Sequence, residues 1–168
     1  MTLIKSISGI RGTIGGKVGE NLTPIDTVRF ASAYGMWLKQ RSQKLNPKVV
    51  IGRDARISGE MVTGLVVASL QSLNIDVVNL GLSTTPTVEL SVVAHEADGG
   101  IIITASHNPK QWNALKLLNE KGEFVNGEDG VQILDIAEND KFDFSQVDFL
   151  GEYQEDNTAM DKHVESVL

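Results

Sequence analysis

The chain has 168 residues, 41% of them hydrophobic, a formal charge of -7 and no cysteine. One core of ordinary size fits this length and a second full domain would be a squeeze; the acid excess speaks against a nucleic-acid partner, whose phosphates demand clustered Lys and Arg. Without cysteine there is neither a disulfide framework nor a thiolate metal site, and no run approaches the ~20 apolar residues of a membrane span.

Met1 to Arg11 lacks the apolar core of a signal peptide, so a cytoplasmic protein with no membrane partner is expected, and the sequon Asn21-Leu22-Thr23 carries no meaning. Thr23-Pro24 reads as an N-cap with proline at the first helical position. With Val28, Phe30, Ala31, Tyr34 and Leu38 it predicts a helix from Pro24 to Arg41. Lys48 to Ile51 is a short strand ending at Gly52. Ser58, Glu60 and Met61 open a helix carrying Val62, Leu65, Val66, Ser69, Leu70 and Leu73. Ile75 to Leu80 is a second strand. Thr85-Pro86 repeats the capping signature ahead of a helix from Val88 to Ala94, with Leu90 and Val93 facing inward, and Asp98-Gly99 turns into a strand around Ile101. This alternation implies an α/β fold, a three-layer α/β/α sandwich on a mostly parallel sheet with right-handed crossovers. Leu115 to Leu118 and Glu123 to Val125, joined by a turn at Glu120-Lys121-Gly122, make the sheet mixed, and Gly130 to Ala137 forms a closing helix. From Glu138 acidic residues dominate and the periodicity weakens, which reads as solvated surface; Asn157 to Leu168 starts a helix without a partner.

The chemistry concentrates in Thr104-Ala105-Ser106-His107-Asn108-Pro109, directly after Gly100-Ile101-Ile102-Ile103. A β-branched run is an interior strand, and the polar cluster falls at its carboxyl end, where such sheets bind ligands. Asn108-Pro109 ends the strand, because proline cannot donate to a ladder. Ser106 is therefore placed on a tight loop facing a crevice, although a capped turn would use the same residue types.

Together with Asn113 and Lys116, this string resembles the phosphoserine loop of the α-D-phosphohexomutases, the phosphoglucomutase and phosphomannomutase superfamily. Ser8-Gly9-Ile10-Arg11-Gly12 and Gly52-Arg53-Asp54-Ala55-Arg56 extend the match to about Leu150, with Ala114 where the family usually has glycine. The resemblance implies residues 1–150 as the amino-terminal domain of four, and residues 151–168 as a linker or the truncated start of the second. It implies an isomerase of the intramolecular phosphotransferase kind, converting hexose 1-phosphate to hexose 6-phosphate through phosphoserine and hexose 1,6-bisphosphate. Glucose, mannose and glucosamine phosphates all remain open as substrates. Mg2+ would bind the phosphate on Ser106 together with aspartates of the second domain, since no Asp-Gly-Asp string occurs here. The remaining domains of the same polypeptide are the implied partners, and the piece alone would be inactive.

On this reading Ser106 is nucleophile and phosphoryl carrier, needing a base and neutralisation of phosphoryl oxygens. Lys116 resembles the general acid/base; an edge-strand lysine pointing at water is the alternative. His107 orients substrate or shares the proton, and Asn108 fixes the loop. Arg11 can hold a phosphate bidentately, its flanking glycines letting backbone approach a ligand. Arg53 and Arg56 are either cations near a phosphate or, through Arg53-Asp54, an internal ion pair. His95 and His163 stand outside any metal-ligand spacing. Gly12 to Val18 is no P-loop, and the acidic charge argues against an RNA-binding Gly-x-x-Gly element. A non-catalytic sugar-phosphate module and a serine hydrolase are the other classes, the latter lacking its Gly-x-Ser-x-Gly elbow.

Overall fold

Alternation along each strand sends neighbouring side chains to opposite faces, and in the computed structural model, which describes residues 1–168, this builds two cores on one sheet. The strands are β1 (Ile4–Ser6), β2 (Gly9–Thr13), β3 (Lys48–Arg53), β4 (Asp76–Leu82), β5 (Gly99–Ile103), β6 (Trp112–Leu118) and β7 (Tyr153–Glu155), in the spatial order β1-β2-β6-β5-β3-β4-β7. Val49, Ile51, Val77, Ile101, Ile103 and Leu115 pack into the larger core with α1 (Pro24–Arg41), α2 (Gly59–Gln71) and α4 (Gly127–Glu138). Val50, Val78, Ile102 and Leu118 point the other way, into a smaller core with α3 (Thr85–Ala94) and α5 (Ala159–Val167). The result is the expected α/β/α sandwich.

The sheet is mixed. Pairs β5–β3, β3–β4 and β4–β7 are parallel, whereas β1–β2, β2–β6 and β6–β5 are antiparallel. Parallel pairing thus covers only half of the sheet rather than most of it, because the amino-terminal hairpin adds two antiparallel strands that short, glycine-rich segments do not announce. Helix α1 has the expected bounds, fixed by a capping box between Thr23 and Asp26. Inside it, Tyr34 aims its hydroxyl at the carbonyls of Leu118 (2.6 Å) and Gly100 (3.2 Å), tying α1 to the middle of the sheet. Burial pushes this phenol's pKa above the ordinary tyrosine range, so it stays a donor.

Four expectations are corrected. Glu123 to Val125 forms no strand: the Asn119 side chain accepts from the amides of Lys121 and Glu123, and the turn it closes leaves a single bridge between Leu118 and Phe124. Thr84, one residue earlier than expected, caps α3. Leu90 and Val93 face outward, since Val88, Ser91 and Val92 form the buried stripe of that helix. The terminal helix has a partner: α5 lies on α3, with Ala159 in the smaller core and His163 Nδ1 2.8 Å from Thr87 Oγ1. Residues 151–168 also supply β7 to the sheet edge, where Gly151 lets the chain pass against the Ile75 carbonyl without a Cβ in the way. His95 Nε2 meets Asp156 Oδ2 at 2.8 Å, fastening α3 to this terminal segment.

Candidate active site

Register sets the site. Arg53 pairs with Ile103, so the residues after β3 and β5, Asp54 and Thr104, emerge side by side at the carboxyl end of the sheet. Thr104 donates its hydroxyl to Asp54 Oδ2 (2.5 Å) and accepts the amide of Ser106 (3.1 Å). Ser106 is exposed, with φ 56°. That left-handed conformation costs a non-glycine residue roughly 1–2 kcal/mol. His107 Nδ1 is 3.3 Å from Ser106 Oγ, so the imidazole lies within reach of the serine proton. Asn108 closes the turn: its amide and its side-chain Nδ2 both donate to the Ala105 carbonyl, at 3.1 and 3.0 Å.

Arg56 holds the loop from beneath. Its guanidinium donates to the carbonyls of Ser106 (2.7 Å), Asn108 (2.8 Å), Pro109 (2.8 Å) and Trp112 (3.1 Å), and its Nε to Asp54 Oδ2 (3.2 Å). The ion pair in the Gly-Arg-Asp-Ala-Arg string is therefore Arg56 with Asp54, not Arg53 with Asp54; Arg53 donates only to the Asp54 carbonyl and lines a separate groove against α2 and β4. Asn113 is fully buried, donating to Ser58 Oγ (2.8 Å); Ser58 itself has helical backbone angles and makes no side-chain cap bond to its helix. Ala114 has ordinary strand geometry and pairs with Arg11, so its methyl is accommodated where the resemblance leads one to expect glycine. Sequence reasoning missed the Asp54–Thr104–Ser106 relay, which depends on the β3–β5 register and has no local signature.

Arg11 and Lys116 meet elsewhere on the same end of the sheet. They line an open cleft of ≈ 280 Å³ with Ser6, Ser8, Ala114 and Phe124, on the face that α3 and α5 leave uncovered. Ser106, His107 and Asn108 do not line it; the loop that carries them leaves the sheet at Thr104, which continues the row of Arg11 and Ala114 across β2 and β6. Strand β6 lies between β2 and β5, so Lys116 is on an interior strand and not on an edge. The glycines beside Arg11 do not open space for a ligand. A Cβ on Gly9 would strike the Leu115 carbonyl, and one on Gly12 would sit 3.0 Å from the Leu22 amide.

The residues present do not build a magnesium site. No three His, Asp or Glu side chains come together, and Asp54, the one carboxylate beside the loop, spends its oxygens on Thr104 and Arg56. Only the Ser106 hydroxyl, once phosphorylated, would offer a metal oxygen ligands, where magnesium wants a near-octahedral set. No helix is long and apolar enough to cross a membrane.

Residues 3–144 match the family model described as phosphoglucomutase/phosphomannomutase, alpha/beta/alpha domain I. The chain is 40% identical over 113 residues to the phosphoglucomutase/phosphomannomutase of Thermococcus kodakarensis, covering 66% of this chain and 25% of that protein. It is 35% identical over 161 residues to the probable phosphoglucosamine mutase of Methanopyrus kandleri, covering 96% and 33%. The crystal structure of a putative phosphomannomutase from Thermus thermophilus superimposes with a TM-score of 0.80 at 25% identity, over 100% of this chain and 36% of that one. The chain thus spans a quarter to a third of the length of these curated relatives.

Proposed function

Because the chain belongs to the phosphoglucomutase/phosphomannomutase family, as its α/β/α domain I, we propose that Ser106 is the phosphoryl carrier of a phosphohexomutase. The observation that carries this reading is the mounting of Ser106 on an exposed left-handed turn two residues beyond Thr104, which continues the strand row of Ala114 and Arg11 into the cleft lined by Arg11 and Lys116. In the forward reaction the phosphoryl group of phosphoserine passes to the 6-hydroxyl of a hexose 1-phosphate. The P–O bond to Ser106 Oγ breaks as the bond to the sugar oxygen forms. Lys116, uncharged for this step, takes the hydroxyl proton, and His107, 3.3 Å from Ser106 Oγ, gives one to the departing serine oxygen. The 1,6-bisphosphate then turns over in the cleft, and Ser106 Oγ attacks the phosphorus at position 1 as its proton returns to His107, while Lys116 gives its proton to the departing sugar O1, leaving hexose 6-phosphate and regenerating phosphoserine. Such transfers need positioning and charge neutralisation more than covalent chemistry. Arg11 supplies a bidentate donor for the non-reacting phosphate, and His107 orients substrate or shares the proton with Lys116. Asn108 keeps the loop closed. A magnesium ion would add neutralisation at the phosphoserine only with ligands from outside this chain, since the residues here do not build its site.

A glucosamine phosphate substrate is the second reading, favoured by the long alignment with the probable phosphoglucosamine mutase of Methanopyrus kandleri. The cleft lined by Arg11 and Lys116 recognises phosphate and does not choose between sugars. One experiment tests both readings. The polypeptide carrying this chain with its remaining domains is given glucose, mannose or glucosamine 1-phosphate, and Ser106 is examined by peptide mass mapping. Phosphate on Ser106 and turnover of one sugar phosphate are expected. Binding without turnover and without phosphoserine would leave a sugar-phosphate binding module instead.

A further inference from the structure

A strained residue persists only where its surroundings over-determine it, and at Ser106 both sides of the peptide are held by one carboxylate–guanidinium unit. We propose that Asp54 and Arg56 are positioning residues, which together hold Ser106 in its left-handed turn for phosphoryl transfer; this deepens the reading of Ser106 given above and rests on it. The amide side is held through Thr104. Its hydroxyl accepts from the Ser106 amide through a lone pair while its own proton goes to Asp54 Oδ2 at 2.5 Å, which fixes the rotor of the hydroxyl. The carbonyl side is held by Arg56 at 2.7 Å. Asp54 also accepts the Arg56 amide and its Nε, so one carboxylate orients both arms.

Arg56 is used up by this task. A guanidinium has five N–H donors in a rigid fork, and each finds an acceptor: Asp54 Oδ2 and the carbonyls of Ser106, Asn108, Pro109 and Trp112. With its side chain 11% exposed and no donor free, it does not bind a phosphate oxygen directly. Its charge acts through the loop. The carbonyl oxygens it gathers are turned inward onto a cation, so fewer negative dipoles face the phosphoryl group at Ser106. A lysine could not substitute, since three donors at a point cannot span four carbonyls and a carboxylate.

The test compares Arg56→Lys and Asp54→Asn with the parent polypeptide carrying all domains. It reads kcat, KM for the preferred sugar phosphate, the melting temperature and amide exchange across residues 104–109. Displacing a reacting group by an ångström costs on the order of 10²-fold in rate, so kcat should fall about that much with KM within about twofold. Ser106 amide exchange should quicken while β5 amides keep parental protection. If Arg56→Lys fails to fold, Asp54→Asn, which keeps the shape of the side chain, carries the comparison. Parental kcat and loop exchange in folded variants, with Ser106 phosphorylated in the parent, would overturn the proposal alone. A parent that is active without phosphate on Ser106 would overturn the reading of Ser106, and the positioning role with it.

Discussion

Arg11 and Lys116 lie on one face of the sheet a single diagonal step apart, Arg11 opposite Ala114 and Lys116 opposite Gly9. Diagonal neighbours on antiparallel strands are roughly 7–8 Å apart, and like charges at that distance repel unless an anion sits between them. Both side chains line the same open cleft. Removing either cation should therefore relieve repulsion in the free protein and weaken the anion-bound state.

For the assembled enzyme, Lys116→Met is expected to lower turnover by about 10²–10⁴-fold, the usual worth of a positioned acid/base. Arg11→Ala should chiefly raise KM. Both variants should melt at or above the parental temperature. Steady-state kinetics with a thermal melt decide this, and unchanged kinetics in either variant would return that residue to a surface role.

At Ser106 the backbone separates two substitutions that chemistry alone would equate. Ser106→Ala and Ser106→Gly both abolish the acceptor hydroxyl and so should both lose phosphorylation. Glycine removes the left-handed penalty and alanine retains it, so the glycine variant should be the more stable, by up to about 1 kcal/mol. Chemical denaturation of the two proteins side by side provides the comparison. Equal stabilities would mean that the φ of 56° carries no strain.

Gly9→Ala is predicted to damage the fold rather than ligand affinity directly. The new methyl would collide with the Leu115 carbonyl, forcing β2 away from β6. Overpacking of this sort typically costs about 1–3 kcal/mol. A fall in melting temperature together with faster amide exchange in β2 and β6 is the expected signature; a stable variant with weaker phosphate binding would contradict it.

Stability should depend on acid through Asp156. The Thr158 hydroxyl beside it, with further help from the Thr158 amide, His95 and Lys162, holds its carboxyl well below the usual aspartate range, against the opposing effect of burial. A carboxyl whose pKa is lower folded than unfolded stabilises fully above its unfolded value, near 3.8, and loses that contribution as pH falls through the folded value. Melting temperatures taken from pH ~6 to ~2 should therefore drop more steeply for the parent than for Asp156→Asn. The variant should start lower, because the segment leading into α5 then loses its carboxylate partner for His95.

Periodicity and caps are enough to place the four longer helices and three parallel strands, because those signals are local: Thr23 with Pro24 bounds α1, and the isoleucine run marks β5. The amino-terminal hairpin leaves no such signal, since Ile4–Ser6 and Gly9–Thr13 are short and gain their order from pairing with β6. The inward face of α3 is misread from spacing because nearly every position is apolar or small, which cannot choose Val88 and Val92 over Leu90 and Val93. The loop string at Thr104 to Pro109 is legible as chemistry. What supports it is not, since Asp54 and Arg56 reach it through strand register across more than forty intervening residues.

Strand β6 runs antiparallel to β5 and beside it, so Gly99–Leu118 is one continuous hairpin with Ser106 in its bend and Lys116 on its returning arm. The proposed nucleophile and its proposed proton partner are thus encoded on a single short peptide, whereas Arg11 and Arg56 are drawn from distant parts of the chain. A duplication or recombination event that moved this hairpin would carry the reactive pair intact and leave behind the means to aim it. Chemistry and precision are separately heritable in this fold.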